Sequence, residues 1–484
     1  MNTDIIKSAL KNKVLWYLAS RYFVLGVQFL ASIFLAVKLG AYYFGIWSFI
    51  LLCVNIGGNC NWGIGNALLI LLTQHKEDQQ LSNKYIFNAL LLTLFACVPP
   101  LLILFYDRIW GILLFEKYHL GKMIYAVALI VILQYFNNVF ASIYRVKNKI
   151  IELMLQQTLW PLCMLCVVFC ATDRQLLYSL AISYVAAMSM LVAIFLFVSR
   201  SCLHFQPDKN ILQVIAKKSS FLFLYNAAVL FIVLSTKFGV SYFYTVEEFG
   251  YFSFAFSLAQ GVMFLIDALH FFIFPKLIDV QKSNNISKIK ASIAFVRKHY
   301  LLILHLSFYC VMAFSTLVFY LLPKYEQSFS AFILILYALM VMMNTMGYNT
   351  YLLATNREKI YAALAIGTLL INVIFVGFAA KVLHCRFENV IIGTLLAYIL
   401  YSSVVNACVL YFLKERKLSC YIKTIFMNRL TIFHLLSLLL FLYFREQWIV
   451  VAYPFVFILV NILPLIETCK VGLKIVKNEK LLRL

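Results

Sequence analysis

The sequence predicts an all-α polytopic membrane protein with about fourteen transmembrane helices. Hydrophobic residues make up 64% of the 484 residues, and the mean hydropathy is +0.91. Soluble domains contain only about 45–50% apolar residues. The apolar runs are continuous and about twenty residues long, whereas barrel strands alternate apolar and polar residues. Helices therefore fit, because every backbone polar group in a bilayer must be satisfied within the spanning element.

The apolar runs predict fourteen helices joined by short loops. The helices are expected at 14–37, 43–73, 85–106, 123–144, 151–171, 176–199, 219–244, 249–274, 299–322, 328–354, 360–383, 389–413, 426–444 and 447–467. The first run is long enough to span and follows three lysines, so it is predicted to stay as a helix rather than to be cleaved as a signal peptide. No loop is long enough for a soluble domain.

The distribution of basic residues predicts the orientation of the chain. The net charge is +22, and 30 of the 41 Lys and Arg fall in loops on the side that holds both termini, against nine on the other side. Because basic loops remain in the cytoplasm, both termini are expected there. The same residues attract anionic lipid headgroups. Their confinement to short loops between apolar runs argues against a nucleic acid partner.

No catalytic motif, cofactor motif or metal site is predicted from the sequence. The twelve cysteines are scattered. Cys163, Cys166 and Cys170 have near-helical spacing, but no histidine or carboxylate cluster stands beside them to complete a zinc site. We interpret them as small packing residues. A phosphate-binding glycine loop, a nucleophile elbow and a two-histidine zinc motif are also missing from the sequence.

Two hexamers, 205 residues apart, indicate an internal repeat. Residues 44–49 read Phe-Gly-Ile-Trp-Ser-Phe and residues 249–254 read Phe-Gly-Tyr-Phe-Ser-Phe. Each opens a predicted helix after a short turn, and six helices separate the two copies, so the halves would be parallel repeats. The domains predicted on this basis are an N-terminal lobe at 1–199, a cytoplasmic linker at 200–218, a C-terminal lobe at 219–413, and a final helix pair with a basic tail at 414–484.

Several short motifs resemble those of Wzx-type polysaccharide flippases, which belong to the multidrug/oligosaccharidyl-lipid/polysaccharide (MOP) exporter superfamily. In chain order they are Leu39-Gly40-Ala41-Tyr42-Tyr43-Phe44-Gly45-Ile46-Trp47, Gly63-Ile64-Gly65-Asn66-Ala67, Glu247-Glu248-Phe249-Gly250-Tyr251-Phe252-Ser253, Phe274-Pro275, and Leu353-Ala354-Thr355-Asn356-Arg357-Glu358-Lys359 followed by Asn372. Their order and spacing over roughly residues 15–410 make the resemblance specific.

The resemblance implies a MATE-like fold and a flippase in the bacterial inner membrane. Its substrate would be an undecaprenyl-pyrophosphate-linked oligosaccharide, such as an O-antigen or capsule repeat unit, moved from the cytoplasmic to the periplasmic leaflet. A glycan polymerase and a chain-length regulator are the implied partners. The chain departs from the family where an acidic residue is usual, because Thr236 and Lys237 stand there. Any coupling mechanism taken over from the family is therefore in doubt.

Two cations inside predicted helices are the first candidates for substrate binding. A charged side chain at mid-bilayer costs about 2.5–3.5 kcal/mol on insertion scales, so Arg21 and Lys237 call for an explanation. Either could contact the pyrophosphate or acidic sugars, and arginine suits phosphate because its planar fork donates two hydrogen bonds. The alternatives are snorkelling to an interface for both residues and, for Lys237, an ion pair with an acidic neighbour.

Neutral amides and one titratable pair complete the candidate site. Asn55, Asn59 and Asn226 are candidates for binding sugar hydroxyls, although helix–helix hydrogen bonding explains such amides equally well. Asp267 and His270 are three residues apart on one helix face and are candidates for ion coupling. The alternative for this pair is an interface contact near Lys276.

Two further functional classes remain open at this stage. A multidrug exporter of the same fold would also use two lobes. A membrane glycan polymerase or ligase usually needs a large outer loop bearing Arg and His, and the loop at 107–122 offers only Arg108 and His119.

Overall fold

The chain folds into helices joined by short connections in the computed structural model. The structure describes residues 13–75, 78–147, 149–172, 175–198, 207–283, 285–355, 357–415, 417–425 and 429–477, and it contains no β-strand within these ranges. The long apolar runs set this outcome, because a helix satisfies its own backbone hydrogen bonds in a medium without water.

The described residues of the first part of the chain form eight helices. They are α1 (Lys13–Asn59), α2 (Ile64–Gln74), α3 (Gln79–Ala96), α4 (Val98–Trp110), α5 (Leu113–Lys117), α6 (Met123–Val146), α7 (Ile150–Cys170) and α8 (Leu176–Val198).

The rest of the described chain contains eleven helices. They are α9 (Lys209–Phe243), α10 (Val246–Gln281), α11 (Ile286–Leu321), α12 (Ser328–Met343), α13 (Tyr348–Ala354), α14 (Glu358–Lys381), α15 (Ile391–Phe412), α16 (Leu418–Ile425), α17 (Arg429–Phe444), α18 (Gln447–Val460) and α19 (Ile462–Lys477). Short 3₁₀ turns at Pro323–Tyr325 and Phe387–Val390 precede α12 and α15.

The fold class predicted from the sequence is confirmed. Each of the fourteen predicted spans falls on one described helix or on a pair of consecutive helices. Within the described residues, eight helices are long and apolar enough to cross a membrane, and ten crossings result if each bent pair is counted as one. The bent pairs are α12 with α13, at 47°, and α18 with α19, at 75°.

Several spans predicted as continuous are interrupted, and glycine or proline accounts for some of the breaks. The predicted helix 43–73 stops at Asn59 and resumes at Ile64 after Gly63, which has a left-handed backbone with φ 69°. The predicted helix 85–106 divides at Cys97, and Pro99 and Pro100 follow in the first turn of α4. Proline is accepted there because its missing N–H would have no partner within the helix. In α1, a kink at Gly40 (φ 72°, ψ 171°) separates the first two predicted spans.

The two copies of the internal repeat pack against each other through their glycines. A Cβ atom built on Gly45 would lie 2.2 Å from the carbonyl oxygen of Val246, and one built on Gly250 would lie 1.9 Å from that of Ala41. Ala41 and Val246 are equivalent positions of the repeat, as are Gly45 and Gly250. The contact is therefore reciprocal, and it requires residues without a side chain on both helices.

Aromatic rings pack beside this contact. Phe49 stacks on Tyr118 with ring centroids 4.0 Å apart, and Phe249 meets Tyr118 edge-on at 5.7 Å. Phe49 and Tyr118 are both almost fully buried. In the same loop, burial lowers the pKa of Lys117, while the nearby Glu248 carboxylate opposes that shift. The connection at 107–122, which the sequence showed only as a short loop, thus contributes packing to the repeat contact.

The chain forms two compact units. The N-terminal unit comprises Met1–Ala227 with Thr245–Gly250, and the C-terminal unit comprises Ala228–Tyr244 with Tyr251–Leu484. In the N-terminal unit, α1 packs on α7 and α6 packs on α8. In the C-terminal unit, α14 packs on α15 and α11 packs on α18. The domain boundaries expected from the repeat stay a prediction.

Replacing either repeat glycine by alanine is expected to destabilise the protein. The added Cβ of Gly45→Ala or Gly250→Ala meets a backbone carbonyl that moves only with its helix, and overpacking of this kind costs about 1–3 kcal/mol. The unfolding temperature of the detergent-solubilised full-length chain measures the effect. Gly26→Ala is the matched control, because a Cβ on Gly26 meets nothing within 4 Å. An equal unfolding temperature for all three variants would contradict the tight reciprocal contact.

Candidate functional site

Lys237 is buried within the C-terminal unit. It lies in the apolar part of α9, its exposed fraction is 7%, and its Nζ lies 5.3 Å from the centroid of the Phe256 ring on α10. A cation over an aromatic face is attracted by the ring quadrupole, and the attraction is strongest where water is excluded. Snorkelling to the interface, which is one alternative considered from the sequence, would place the ammonium group of Lys237 in water, and the observed burial does not agree with it. The ring contact instead retains a cation inside an apolar segment.

A network of neutral polar side chains begins one residue before Lys237. The Thr236 and Thr394 hydroxyl oxygens are 2.5 Å apart, which joins α9 to α15. From α14, the Asn372 amide donates to the Ile232 carbonyl at 2.8 Å and lies 3.1 Å from Thr236 Oγ1. The Ser235 hydroxyl lies 2.9 Å from Asn372 Nδ2. We call Ser235, Thr236, Asn372 and Thr394 together the polar node.

The polar node lies where α9 and α14 approach closely. A Cβ on Gly239 would lie 2.4 Å from Val376 Cγ1, so the glycine permits this packing. Asn372 and Thr236 are 0% and 1% exposed. A buried amide or hydroxyl costs free energy unless it is hydrogen-bonded, so the bonds of the polar node hold three helices in register.

The chemistry of the polar node is that of neutral oxygens beside a cation. Asn372 Oδ1 is buried and accepts no hydrogen bond among the described residues. In the described part of the chain, no group of three or more His, Cys, Asp or Glu could hold a metal ion. Thr394 and Ser235 were missed from the sequence. Hydroxyl residues in apolar runs are too frequent to single out without knowing which helices meet.

Asn55 and Asn59, predicted to bind sugar hydroxyls, are both exposed on α1. The Asn59 amide donates to the Asn55 carbonyl at 2.8 Å, one turn earlier in the same helix. That bond uses only one of the two amide protons, and the Asn59 side-chain oxygen is an additional acceptor. Both side chains therefore retain polar capacity on the surface of the N-terminal unit.

Other amides of the N-terminal unit join helices to one another. Gln156 on α7 donates to the carbonyl of Asn137 on α6, and Asn137 Nδ2 lies 3.3 Å from the Met188 carbonyl on α8. The side-chain oxygens of Gln134, Asn137 and Gln156 are buried and accept no hydrogen bond among the described residues. For Asn137 and Gln156, the structure agrees with the helix–helix alternative considered from the sequence.

The side chains of four predicted site residues lie outside the part of the chain that the structure describes. They are Arg21, Asn226, Asp267 and His270. The roles assigned to them from the sequence stay predictions. His305 is fully buried in α11, and its Nδ1 lies 2.8 Å from the Leu301 carbonyl.

A helical membrane protein with an internal repeat and buried polar groups within its apolar helices has the architecture expected of a polytopic transporter. Residues 10–245 match a family model described as "Polysaccharide biosynthesis protein". The match agrees with the resemblance drawn from the sequence motifs. A search of curated protein sequences finds no match.

Solved structures of a lipid flippase and of a multidrug transporter have a similar fold. A structure titled "Lipid II flippase MurJ, inward closed conformation" matches with a TM-score of 0.66 and 13% identity, covering 96% of this chain and 100% of that one. An inward-facing multidrug resistance MATE family transporter matches with a TM-score of 0.57 and 16% identity, covering 84% of this chain and 96% of that one. At these identities the likeness is one of fold.

Removing the Asn372 amide is expected to destabilise the C-terminal unit. Asn372→Ala removes the amide that donates to the Ile232 carbonyl and lies within hydrogen-bond distance of Ser235 and Thr236, and each hydrogen bond lost costs about 0.5–1.5 kcal/mol. The readout is the unfolding temperature of the solubilised full-length chain. Asn59→Ala serves as control, since Asn59 is exposed and bonds only within its own helix. If both variants unfold at the wild-type temperature, the polar node does not stabilise the helix crossing.

Proposed function

We propose that the chain is a flippase that carries an undecaprenyl-pyrophosphate-linked oligosaccharide from the cytoplasmic to the periplasmic leaflet of a bacterial inner membrane. The observation that carries the proposal is the match of residues 10–245 to the polysaccharide biosynthesis family, in a chain with the MOP fold. An O-antigen or capsule repeat unit is the proposed cargo. A glycan polymerase and a chain-length regulator are the proposed partners, and both termini are proposed to be cytoplasmic.

Alternating access is the proposed mechanism, and the internal repeat supports it. Gly45 and Gly250 are equivalent positions of the two repeat copies, and both lie in the N-terminal unit. Transporters built from such repeats are expected to alternate access between two lobes.

Lys237 is proposed to attract the anionic pyrophosphate or acidic sugars. Its Nζ lies 5.3 Å from the centroid of the Phe256 ring, and such a cation–π contact is worth about 0.5–2 kcal/mol. An approaching phosphate is a stronger partner for an ammonium group. Asn55, Asn59 and Asn226 are proposed to bind sugar hydroxyls. Arg21 is proposed to act as a second cation that contacts the substrate. Asp267 and His270 remain the candidates for ion coupling.

The multidrug-exporter alternative has less support from the residues of the C-terminal unit. Exporters of cationic compounds need acceptors or carboxylates in the apolar core. Here Lys237 adds a positive charge, and the polar node beside it is neutral. An enzyme is disfavoured because the fold and the family are those of transporters.

A deletion strain tests the function itself. Loss of the chain should leave lipid-linked oligosaccharide in the inner leaflet, shielded from a membrane-impermeant carbohydrate probe applied from the periplasmic side. The plasmid-borne wild-type chain should restore the exposed pool. A strain that becomes sensitive to drugs but exports its glycan normally would favour the multidrug exporter. Unpolymerised units outside the membrane would favour a polymerase.

Neutralising Lys237 should lower flipping in the same assay. Lys237→Met keeps the apolar stem and removes the charge, so we expect a loss of about ten-fold or more, the value of a charge-assisted hydrogen bond. Lys237→Arg should retain most activity. Lys324→Met is the matched control, because Lys324 is exposed in a loop. Full flipping by Lys237→Met, at equal expression and unfolding temperature, would exclude Lys237 from substrate binding.

A further inference from the structure

The break between α1 and α2 holds a tryptophan in an unusual backbone conformation. Trp62 has φ 53°, and Gly63, which follows it, has φ 69°. Glycine and asparagine adopt this left-handed region readily, whereas a bulky residue adopts it only where the surrounding structure imposes it. Strained residues of this kind cluster at sites that contact ligands. A helix break alone would be served by glycine or asparagine at position 62.

Packing on both sides of the break fixes the backbone that carries Trp62. At the end of α1, the Tyr135 hydroxyl of α6 donates to the Gly57 carbonyl at 2.8 Å. At the start of α2, a Cβ built on Gly63 would lie 3.1 Å from the carbonyl oxygen of Ser219 on α9. All of these residues belong to the N-terminal unit. The conformation of the turn is therefore set by its contacts with two neighbouring helices.

The Trp62 side chain is 48% exposed, and exposed amides flank it along the chain. Asn59 lies three residues before it and Asn66 four residues after it, and both are exposed. Because a chain spans at most about 3.6 Å per residue, their Cα atoms lie within about 14 Å of that of Trp62. Asn55, one turn before Asn59, is exposed as well. Amides that face hydrocarbon lose the hydrogen bonds they make in water, so this group favours a wet surface.

An exposed indole flanked by neutral amides suits a sugar. A sugar ring presents C–H groups on its faces and hydroxyls around its rim. The C–H groups pack on the flat apolar indole, and each amide offers two donors and one acceptor to the hydroxyls. The indole has only two side-chain torsions, so little conformational entropy is lost when it makes this contact. A tryptophan that only anchors the protein at the lipid interface needs neither the amides nor the strained backbone.

We propose that Trp62 is a stacking surface for a sugar ring of the transported glycan, and that Asn59 and Asn66 bind hydroxyls of the same sugar or of the next one. The inference rests on the proposed function and adds to it the residue that recognises the glycan rather than its lipid carrier. It predicts that Trp62 contributes to the affinity for a sugar-bearing lipid and leaves the affinity for the bare carrier unchanged.

Two lipid probes separate the sugar contact from every other contact. They are lipid-linked oligosaccharide extracted from the deletion strain and undecaprenyl pyrophosphate without sugar, each titrated onto the solubilised full-length chain by native mass spectrometry. Trp62→Leu should lower the affinity for the sugar-bearing lipid about two- to ten-fold, the range expected of one aromatic contact, and leave the bare carrier unaffected. Trp62→Tyr should keep most of the affinity, because it retains a flat ring. Asn59→Ala/Asn66→Ala should show the same selective loss as Trp62→Leu.

Trp110→Leu is the matched control. Trp110 is 69% exposed at the end of α4, in the same unit of the chain, and it has no part in the proposed sugar contact. This variant should bind both probes as the wild type does. If Trp62→Leu weakens both probes equally, Trp62 is an interfacial or packing residue and the proposal is overturned.

Trp62→Gly gives a second variant that fits the backbone of the turn. Glycine adopts φ 53° without strain, so this variant should keep the fold, as judged by the unfolding temperature, and should show the same selective loss as Trp62→Leu. A folded Trp62→Gly variant with wild-type affinity for the sugar-bearing lipid would contradict the stacking contact.

The wild-type chain distinguishes a failure of this inference from a failure of the proposed function. If it binds the two probes equally and the deletion strain exports its glycan normally, the flippase function itself fails. If it prefers the sugar-bearing lipid and Trp62→Leu keeps that preference in full, the flippase function stands and the assignment of Trp62 is wrong.

Discussion

The structure depends on one constraint, which is that a backbone polar group within the bilayer needs a partner from the protein. Where helices run unbroken, each residue provides that partner itself. Where they break, side chains from other helices take over. At the break between α12 and α13, Arg297 donates to the Asn344 carbonyl at 2.7 Å and Gln281 donates to the Gly347 carbonyl at 2.9 Å. Lys38 caps the end of α7 through the carbonyls of Val168 and Ala171. Polar residues that appear functional in the sequence therefore often have this structural task.

The same constraint separates Lys237 from the other polar residues of the helices. Arg297 and Gln281 donate hydrogen bonds to backbone carbonyls at a helix break. Lys237 lies in an unbroken stretch of α9, and its Nζ is 5.3 Å from the centroid of the Phe256 ring. The anionic cargo proposed for this chain is one that its ammonium group would attract.

Much of the fold could be predicted because it follows from one-dimensional patterns. Apolar run length predicted the helices, and the spacing of the two Phe-Gly motifs predicted the repeat whose glycines meet in the structure. The candidate site was harder to predict from the sequence. Lys237 was identified because a charge in an apolar run is conspicuous. Thr394 and Ser235 were not identified, because the hydrogen bonds of their hydroxyls form only where α9, α14 and α15 meet. Asn137, an amide within an apolar run, bonds to a neighbouring helix instead of marking a site.

The sequence by itself determined that the chain is a helical membrane protein with a repeat, since hydropathy, charge distribution and motif spacing are properties of the chain alone. Only the tertiary structure decided which glycines touch, which polar residues share hydrogen bonds, and where α19 turns away from α18. The physical reason is that these features depend on distances between residues far apart in the chain. Helix packing sets those distances, and periodicity within one segment does not encode them.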